Sequence, residues 1–203
     1  MKRRYNDQYN ERDHKNSLPY SIVIIKPDAH RDILVETIIQ DIKKGGLSIA
    51  HTKDMILSRR QAEEIYSEHS DEPHFEASIK SLLGRKDCNR VTVLVVESNG
   101  GPCLEKLQEI KGRSDKEGIR LKYRLFSREE LERRGLSGEG LKEELANNRL
   151  HVPDSDECCR HLINMLLTDR EIKELKEVRP EFYKELRQIF EEKEEPKILP
   201  HIR

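Results

Sequence analysis

Apolar positions along this chain recur with a period that switches between two and about four, and the switches mark out the elements. Tyr20-Ser-Ile-Val-Ile-Ile25 is a β-branched run that stops at Lys26-Pro27, where proline removes a ladder donor, so a strand is predicted over 20–25. Leu34, Ile38 and Ile42 then recur four residues apart, predicting a helix with one apolar face that ends at Gly45-Gly46. Leu47 to Leu57 returns to a strand pattern, with Leu47, Ile49 and Met55 sharing one parity. Ser58 with Gln61 is a capping box opening a helix that carries Ala62, Ile65, Tyr66 and His69 on adjoining turns. A further helix runs through Phe75, Ile79 and Leu82. Arg90-Val-Thr-Val-Leu-Val-Val96 is continuously apolar after its first residue, as a strand buried on both faces at the centre of a sheet would be.

Gly100-Gly101-Pro102 opens the next helix, with Leu104, Leu107 and Lys111 on neighbouring rows and Gly112 as its stop. Residues 121–147, rich in Glu, Arg and Lys, are predicted to form an inserted pair of short charged helices, around 127–130 and 141–146. A capping box at Asp154 and Glu157 starts a helix with Leu162, Ile163 and Leu166, and Thr168 with Glu171 starts another. The last helix follows Pro180 and shows Phe182, Leu186 and Phe190 at four-residue spacing. This order predicts an α/β fold, a ferredoxin-like βαββαβ sandwich with an antiparallel four-stranded sheet, plus the helical insertion and C-terminal helices. The fourth strand overlaps the insertion. Residues 1–18 contain almost no apolar side chains and read as a flexible polar arm, 19–167 as the domain, and 168–203 as a C-terminal helical extension.

Bulk composition narrows the class of function. The 203 residues suffice for one sizeable core with appendages, and a charged fraction of 38% against 34% hydrophobic places the polar excess on solvated helices and tails. The net charge of −1 offers no global field toward nucleic acid or an anionic membrane, and few aromatics leave no stacking platforms. Nucleic acid is therefore a poor partner, even with the basic segment 120–124. The apolar runs are too short to span a bilayer, and Lys2-Arg3-Arg4 is followed by no apolar stretch, so a soluble cytoplasmic protein is expected. Cys88, Cys103, Cys158 and Cys159 match no zinc or disulfide spacing and are read as reduced, the adjacent Cys158 and Cys159 as packing residues on a helix.

Candidate chemistry sits in two strings. Asn148-Arg-Leu-His151-Val-Pro-Asp154-Ser155 offers a histidine able to accept a phosphate, and Ile25-Lys26-Pro27-Asp28-Ala29 offers a fixed positive charge to hold an anionic donor. For each residue an ordinary reading stands beside the chemical one. His151 could cap a surface strand end, Lys26 could be a strand-end lysine, Tyr66 could be core, and Arg120 could belong to a solvated basic patch. Metal ligation by His69 with His74, or by His151 with His161, lacks carboxylate or cysteine companions at suitable spacing.

Taken together the strings resemble the nucleoside diphosphate kinase family. Lys26-Pro27-Asp28-Ala29 with Leu34-Val35, Tyr66 followed by Pro73 and Phe75, Gly118-Ile119-Arg120, and Asn148 to Ser155 stand in family order, over roughly residues 19–120 and 148–167. The resemblance implies that His151 takes the γ-phosphate of a nucleoside triphosphate as phosphohistidine and passes it to a nucleoside diphosphate, a ping-pong transfer with broad nucleotide specificity. Lys26 would hold the transferred group, Arg120 and Ser114 would contact phosphates, and Asn148 would bond the ribose. Tyr66 would support the phosphate end, His74 would stand at the base-stacking position, and Glu68 would reach nucleotide-borne Mg2+ through water. A homo-oligomer is implied too, although no proline lies between Pro102 and Pro153 to mark the loop that helps such contacts.

Four positions depart from the family pattern. Its phosphate-clamping arginine falls on Gln108, with Arg113, Lys106 and Lys111 near enough in sequence to substitute. The base-stacking phenylalanine falls on His74, the Gly-Ser after the histidine on Val152-Pro153, and the carboxylate that orients the histidine on Leu162. Two expectations follow: an active phosphotransferase with reduced rate, or a degenerate nucleotide-binding or assembly module that keeps the fold.

Overall fold

The computed structural model describes residues 17–112 and 117–187. Its elements in order are β1 (Tyr20–Ile25), α1 (Pro27–Arg31), α2 (Val35–Lys44), β2 (Leu47–Ile56), α3 (Arg59–Ile65), α4 (Phe75–Leu83), β3 (Arg90–Ser98) and α5 (Cys103–Lys111). There follow α6 (Ile119–Lys122), α7 (Arg128–Arg133), α8 (Gly138–Ala146), β4 (Leu150–His151), α9 (Asp156–Leu166), α10 (Asp169–Val178) and α11 (Pro180–Tyr183). The strands order β2-β3-β1-β4, every neighbouring pair antiparallel, so the predicted sandwich is the observed one. Both β1 and β3 are interior strands, which is why their runs are apolar without alternation.

Each face of the sheet carries its own core. Ile22, Ile24, Val91, Val93 and Val95 join a cluster with Ile65, Leu82, Leu162, Ile163 and Leu166, from α3, α4 and α9. Val23, Ile25, Leu94 and Val96 join Ile38, Ile42 and Leu107, from α2 and α5. The C-terminal extension is part of the first cluster, through Ile172, Leu175, Tyr183 and Leu186. Leu18, at the end of the predicted arm, is buried, and its backbone N–H donates to Asp156 Oδ2 at 3.0 Å. The preceding part of the arm, and Phe190, lie outside the described residues.

Three local readings are corrected. Leu47, Ile49 and Met55 keep one parity but not one face: the register slips between Ile49, opposite Val96, and His51, opposite Val95. The extra residue of this bulge turns the second half of β2 over, so Leu47 and Ile49 pack with α2 while Met55 packs with the α9 cluster. Helix α9 is capped by Ser155, whose side chain accepts from the Cys158 N–H, and not by Asp154. Asp154 instead bonds His69. The last helix among the described residues is a single turn, α11, whose Tyr183 hydroxyl donates to Glu97 at 2.9 Å on β3.

The bulge also aims His51 and Lys53 at α10. Lys53 Nζ donates to Glu171 Oε2 at 2.9 Å, and the Thr168–Glu171 capping box forms as predicted. Burial alone would raise the Glu171 carboxyl, but bonds from the Thr168 backbone, Lys53 and the Thr168 hydroxyl prevail and hold it at about 2. A carboxyl depressed in the folded state stabilises above its unfolded pKa, and that stability is lost as pH falls through the folded value. Glu171→Gln is expected to lower unfolding free energy by about 2 kcal/mol at pH 7, with the difference closing between about pH 4.5 and 2 in urea titrations.

Candidate active site

Pairing between β4 and β1 is only two residues long, yet it assembles the site. Ile24 lies opposite His151 and Ile25 opposite Leu150. By the two-residue alternation of a strand, His151, Ile24 and Lys26 share a sheet face, so the two chemical strings meet at the end of β1. Lys26 leaves the strand because Pro27 takes the first position of α1, and its backbone N–H donates to the Arg149 carbonyl at 2.8 Å.

The Lys26 side chain is 1% exposed, and its ammonium has three acceptors: Ser81 Oγ at 3.1 Å, the Ala146 carbonyl at 2.9 Å and Asn148 Oδ1 at 2.9 Å. Ala146 ends α8, so the insertion reaches into the site, which its charged composition did not announce. His151 is 5% exposed, and the Tyr66 ring meets it edge-on with centroids 4.8 Å apart. Tyr66 is thus both a core residue and the wall against which the imidazole rests.

His151 Nε2 is enclosed with no hydrogen-bond partner. Leu162, at the position of the family's carboxylate, is fully buried in the same apolar cluster as Tyr66. Burial, and then the charges of Lys26, Arg120, Lys111 and His69, hold the His151 pKa well below its ordinary value, so the ring is neutral at pH 7. The Arg120 Nη2 donates to the Leu150 carbonyl at 3.3 Å, while its Nε is enclosed and unpaired. Burial pulls Arg120 below its ordinary pKa, and a guanidinium stays charged regardless.

Two departures from the family pattern meet each other, since the Gln108 side-chain amide donates to the Pro153 carbonyl at 2.8 Å. It fastens the loop after His151. Of the cations proposed to replace an arginine there, Lys106 turns away to the Gly46 carbonyl, Arg113 lies outside the described residues, and Lys111 is buried near enough for its charge to act on His151. Ser114 also lies outside the described residues. His74 is exposed as the N-cap of α4, its ring 6.4 Å from that of His69, and Glu68 is exposed on the preceding turn. Neither enters the buried cluster.

The histidines weighed as metal ligands take carboxylate partners, His69 with Asp154 at 2.8 Å and His161 with Glu64 at 3.0 Å. Among the described residues no three His, Cys, Asp or Glu side chains gather to hold a metal ion. Glu68 makes no hydrogen bond or ion pair among the described residues.

One residue that organises the site was not legible as such. Arg149 is 1% exposed and at φ 74°, a backbone region unfavourable to side chains. Its guanidinium donates to the Tyr123 carbonyl at 2.7 Å, the Asp28 carbonyl at 2.9 Å and Asp32 Oδ2 at 2.6 Å, with Asp28 Oδ2 3.4 Å away. It ties the turn after Lys26 to the strand that carries His151. The one sequence signal was Asp28, an acid in the lysine string with no stated partner.

A neutral buried histidine thus stands beside Lys26, Arg120 and Lys111 on a four-stranded antiparallel α/β sheet. The profile of the nucleoside diphosphate kinase family matches residues 20–172, and the chain belongs to that family. A nucleoside diphosphate kinase of Pyrococcus furiosus is 30% identical over 178 residues, covering 85% of this chain and 98% of that protein. A thioredoxin domain-containing protein 3 homolog of Ciona intestinalis is 42% identical over 71 residues, 34% of this chain, and the matched segment is 10% of that protein's length. Among solved structures, the transition-state mimic of the Borrelia burgdorferi nucleoside-diphosphate kinase with vanadate and ADP shares the fold at a TM-score of 0.58 and 20% identity, over 75% of this chain and 88% of that one. Membership makes nucleotide phosphotransfer the general chemistry to consider. Among the described residues no helix is long and apolar enough to cross a membrane.

Proposed function

We propose that this protein moves the γ-phosphate of a nucleoside triphosphate to a nucleoside diphosphate by way of phospho-His151. The observation that carries the reading is a buried, neutral imidazole facing Lys26, Arg120 and Lys111, a charge arrangement that an anion completes. With Nε2 enclosed, Nδ1 is the nitrogen left to meet the γ-phosphorus. Its lone pair forms the N–P bond as the bond to the bridging oxygen breaks, and the diphosphate leaves with that electron pair. The second half runs in reverse, a diphosphate oxygen attacking phosphohistidine and restoring the neutral ring.

Lys26 follows the charge through the transfer, giving up one of its three acceptors to a phosphoryl oxygen. Arg120 turns its unpaired Nε to a neighbouring phosphate. Asn148 bonds the ribose, Tyr66 holds the ring in place, and His74 stacks on the base at the exposed rim. Ser114 is assigned a phosphate, and Glu68 a water on Mg2+, by the family pattern. A cytoplasmic setting and self-association go with this reading. The alternative, a nucleotide-binding module with little catalysis, draws support from the Nε2 that no hydrogen bond orients and from the fully engaged Lys26.

Steady-state rates over a grid of donor and acceptor concentrations test the proposal. Parallel double-reciprocal lines are expected, and intersecting lines or no turnover would contradict it. Because the free-enzyme histidine titrates well below 6.5, kcat/KM is expected to lose no nucleophile between pH 7.5 and about 6, and a fall centred near 6.5 would show an exposed, ordinary histidine.

A further inference from the structure

The His151 site holds more positive charge than its own residues neutralise, because its cations meet uncharged acceptors or, for one of them, none. Lys26 shares its charge among three acceptors and Arg120 has the Leu150 carbonyl. Lys111, the last residue of α5, is 9% exposed and makes no hydrogen bond or ion pair among the described residues. A lysine at a helix C-terminus ordinarily folds back on the final carbonyls or lies in water. Lys111 does neither.

Its surroundings explain why that matters. Burial, and then Arg120, push the Lys111 ammonium down to about 8, with Lys26 adding to the push and Asp154 opposing it. Asp154 is already engaged by His69. Gln108, one turn back on α5, faces the same loop but is spent on the Pro153 carbonyl and brings no charge. The C-terminal end of a helix repels anions through its dipole, so an anion seated against α5 needs a cation there. An unpartnered buried ammonium is costly alone and stabilising once a phosphate oxygen meets it.

We propose that Lys111 is a phosphate-binding residue of this site, gripping the polyphosphate chain of a nucleoside di- or triphosphate from the end of α5. This deepens the phosphotransfer reading above and rests on it for the nucleotide, but not for the anion. Three cations around a neutral ring match a ligand with several negative charges, so the di- or triphosphate chain is favoured over a single phosphate.

Calorimetric titration of the full chain with inorganic pyrophosphate and with ADP tests this, using Lys111→Met and Lys111→Arg. Methionine keeps the length without the charge. It is expected to weaken both ligands by about tenfold or more while leaving the melting temperature unchanged or higher, because an unpaired buried charge has been removed. Arginine is expected to restore most of the affinity. Binding by Lys111→Met within twofold of wild type would overturn the proposal, as would absence of pyrophosphate binding by the wild type. A melting temperature lowered by methionine and restored by arginine, with binding per folded molecule intact, would assign Lys111 to structure and overturn it as well. Labelling of His151 by γ-labelled ATP is read separately. Pyrophosphate binding through Lys111 without labelling keeps this inference and loses phosphotransfer, whereas labelling with unchanged Lys111→Met affinity does the reverse.

Discussion

Arg149→Met is expected to cost about 3–5 kcal/mol of folding stability, a large share of what a domain of this size has. The guanidinium satisfies the Asp28 and Tyr123 carbonyls and pairs with Asp32, in a place where the Asp28 side chain is itself only 3% exposed. Methionine fills much of the volume and keeps the backbone N–H that Asp28 Oδ2 accepts, but it removes the cation beside that buried carboxylate and the donor of two carbonyls, and such orphans carry a desolvation penalty. Urea unfolding measures the loss. Asp28→Asn together with Arg149→Met is expected to recover part of it, since one uncompensated charge is then gone. Surviving Arg149→Met protein is also expected to transfer phosphate poorly, because the Lys26 backbone N–H bonds the Arg149 carbonyl and the two strings are held together through this residue. A change under about 1 kcal/mol would show that the network is incidental.

His151→Ala is expected to abolish transfer, with turnover falling on the order of 10⁴-fold or more while the fold persists. The size of the effect follows from the lack of a stand-in beside His151 among the described residues. Burial pushes the Cys158 thiol up to about 11 and the Cys103 thiol to about 12, so neither is a thiolate at neutral pH. His69 is bonded to Asp154. Lys26, Arg120 and Lys111 remain in the variant, so nucleotide binding is expected to survive, and calorimetry with ADP separates the two functions. Comparable turnover by His151→Ala would place the chemistry on another group.

Much of this architecture was legible because short-range signals coincide with long-range packing. The capping boxes at Ser58 and Thr168 form as their spacing indicates, and the apolar rows of α2 and α9 bury the faces that period four assigns them. The continuous run of β3 placed it inside the sheet for a physical reason that holds for both its faces. What stayed hidden depends on tertiary geometry. No composition marks the bulge between Ile49 and His51, and without it Met55 would sit on the wrong face. Arg149 reads as one more surface cation until its two acids are brought 117 and 121 residues back to meet it.

The site divides along the same line. His151, Lys26, Tyr66, Arg120 and Asn148 were all readable from their strings, and the fold gathers them around the β1–β4 pair. Gln108 and Pro153 were read as two losses, whereas they bond each other and hold the loop after His151. Lys111 was only one of three nearby cations in sequence; of the two that are described it is the buried one, and Lys106 on the same helix points to Gly46. The reach of α8 into the Lys26 shell could not be foreseen from a charged insertion, since it is a backbone carbonyl that makes the contact.

The central claim, transfer through His151, is met most directly by isolating the intermediate. The protein is incubated with γ-labelled ATP and Mg2+, freed of nucleotide and split into two portions. The first is tested for acid and base stability and the second is chased with an unlabelled nucleoside diphosphate. The account predicts a label that is acid-labile and base-stable, absent from His151→Ala, and released onto the diphosphate as triphosphate within the turnover time. Wild-type protein that binds ADP yet acquires no label, or a label that persists in His151→Ala, would contradict it.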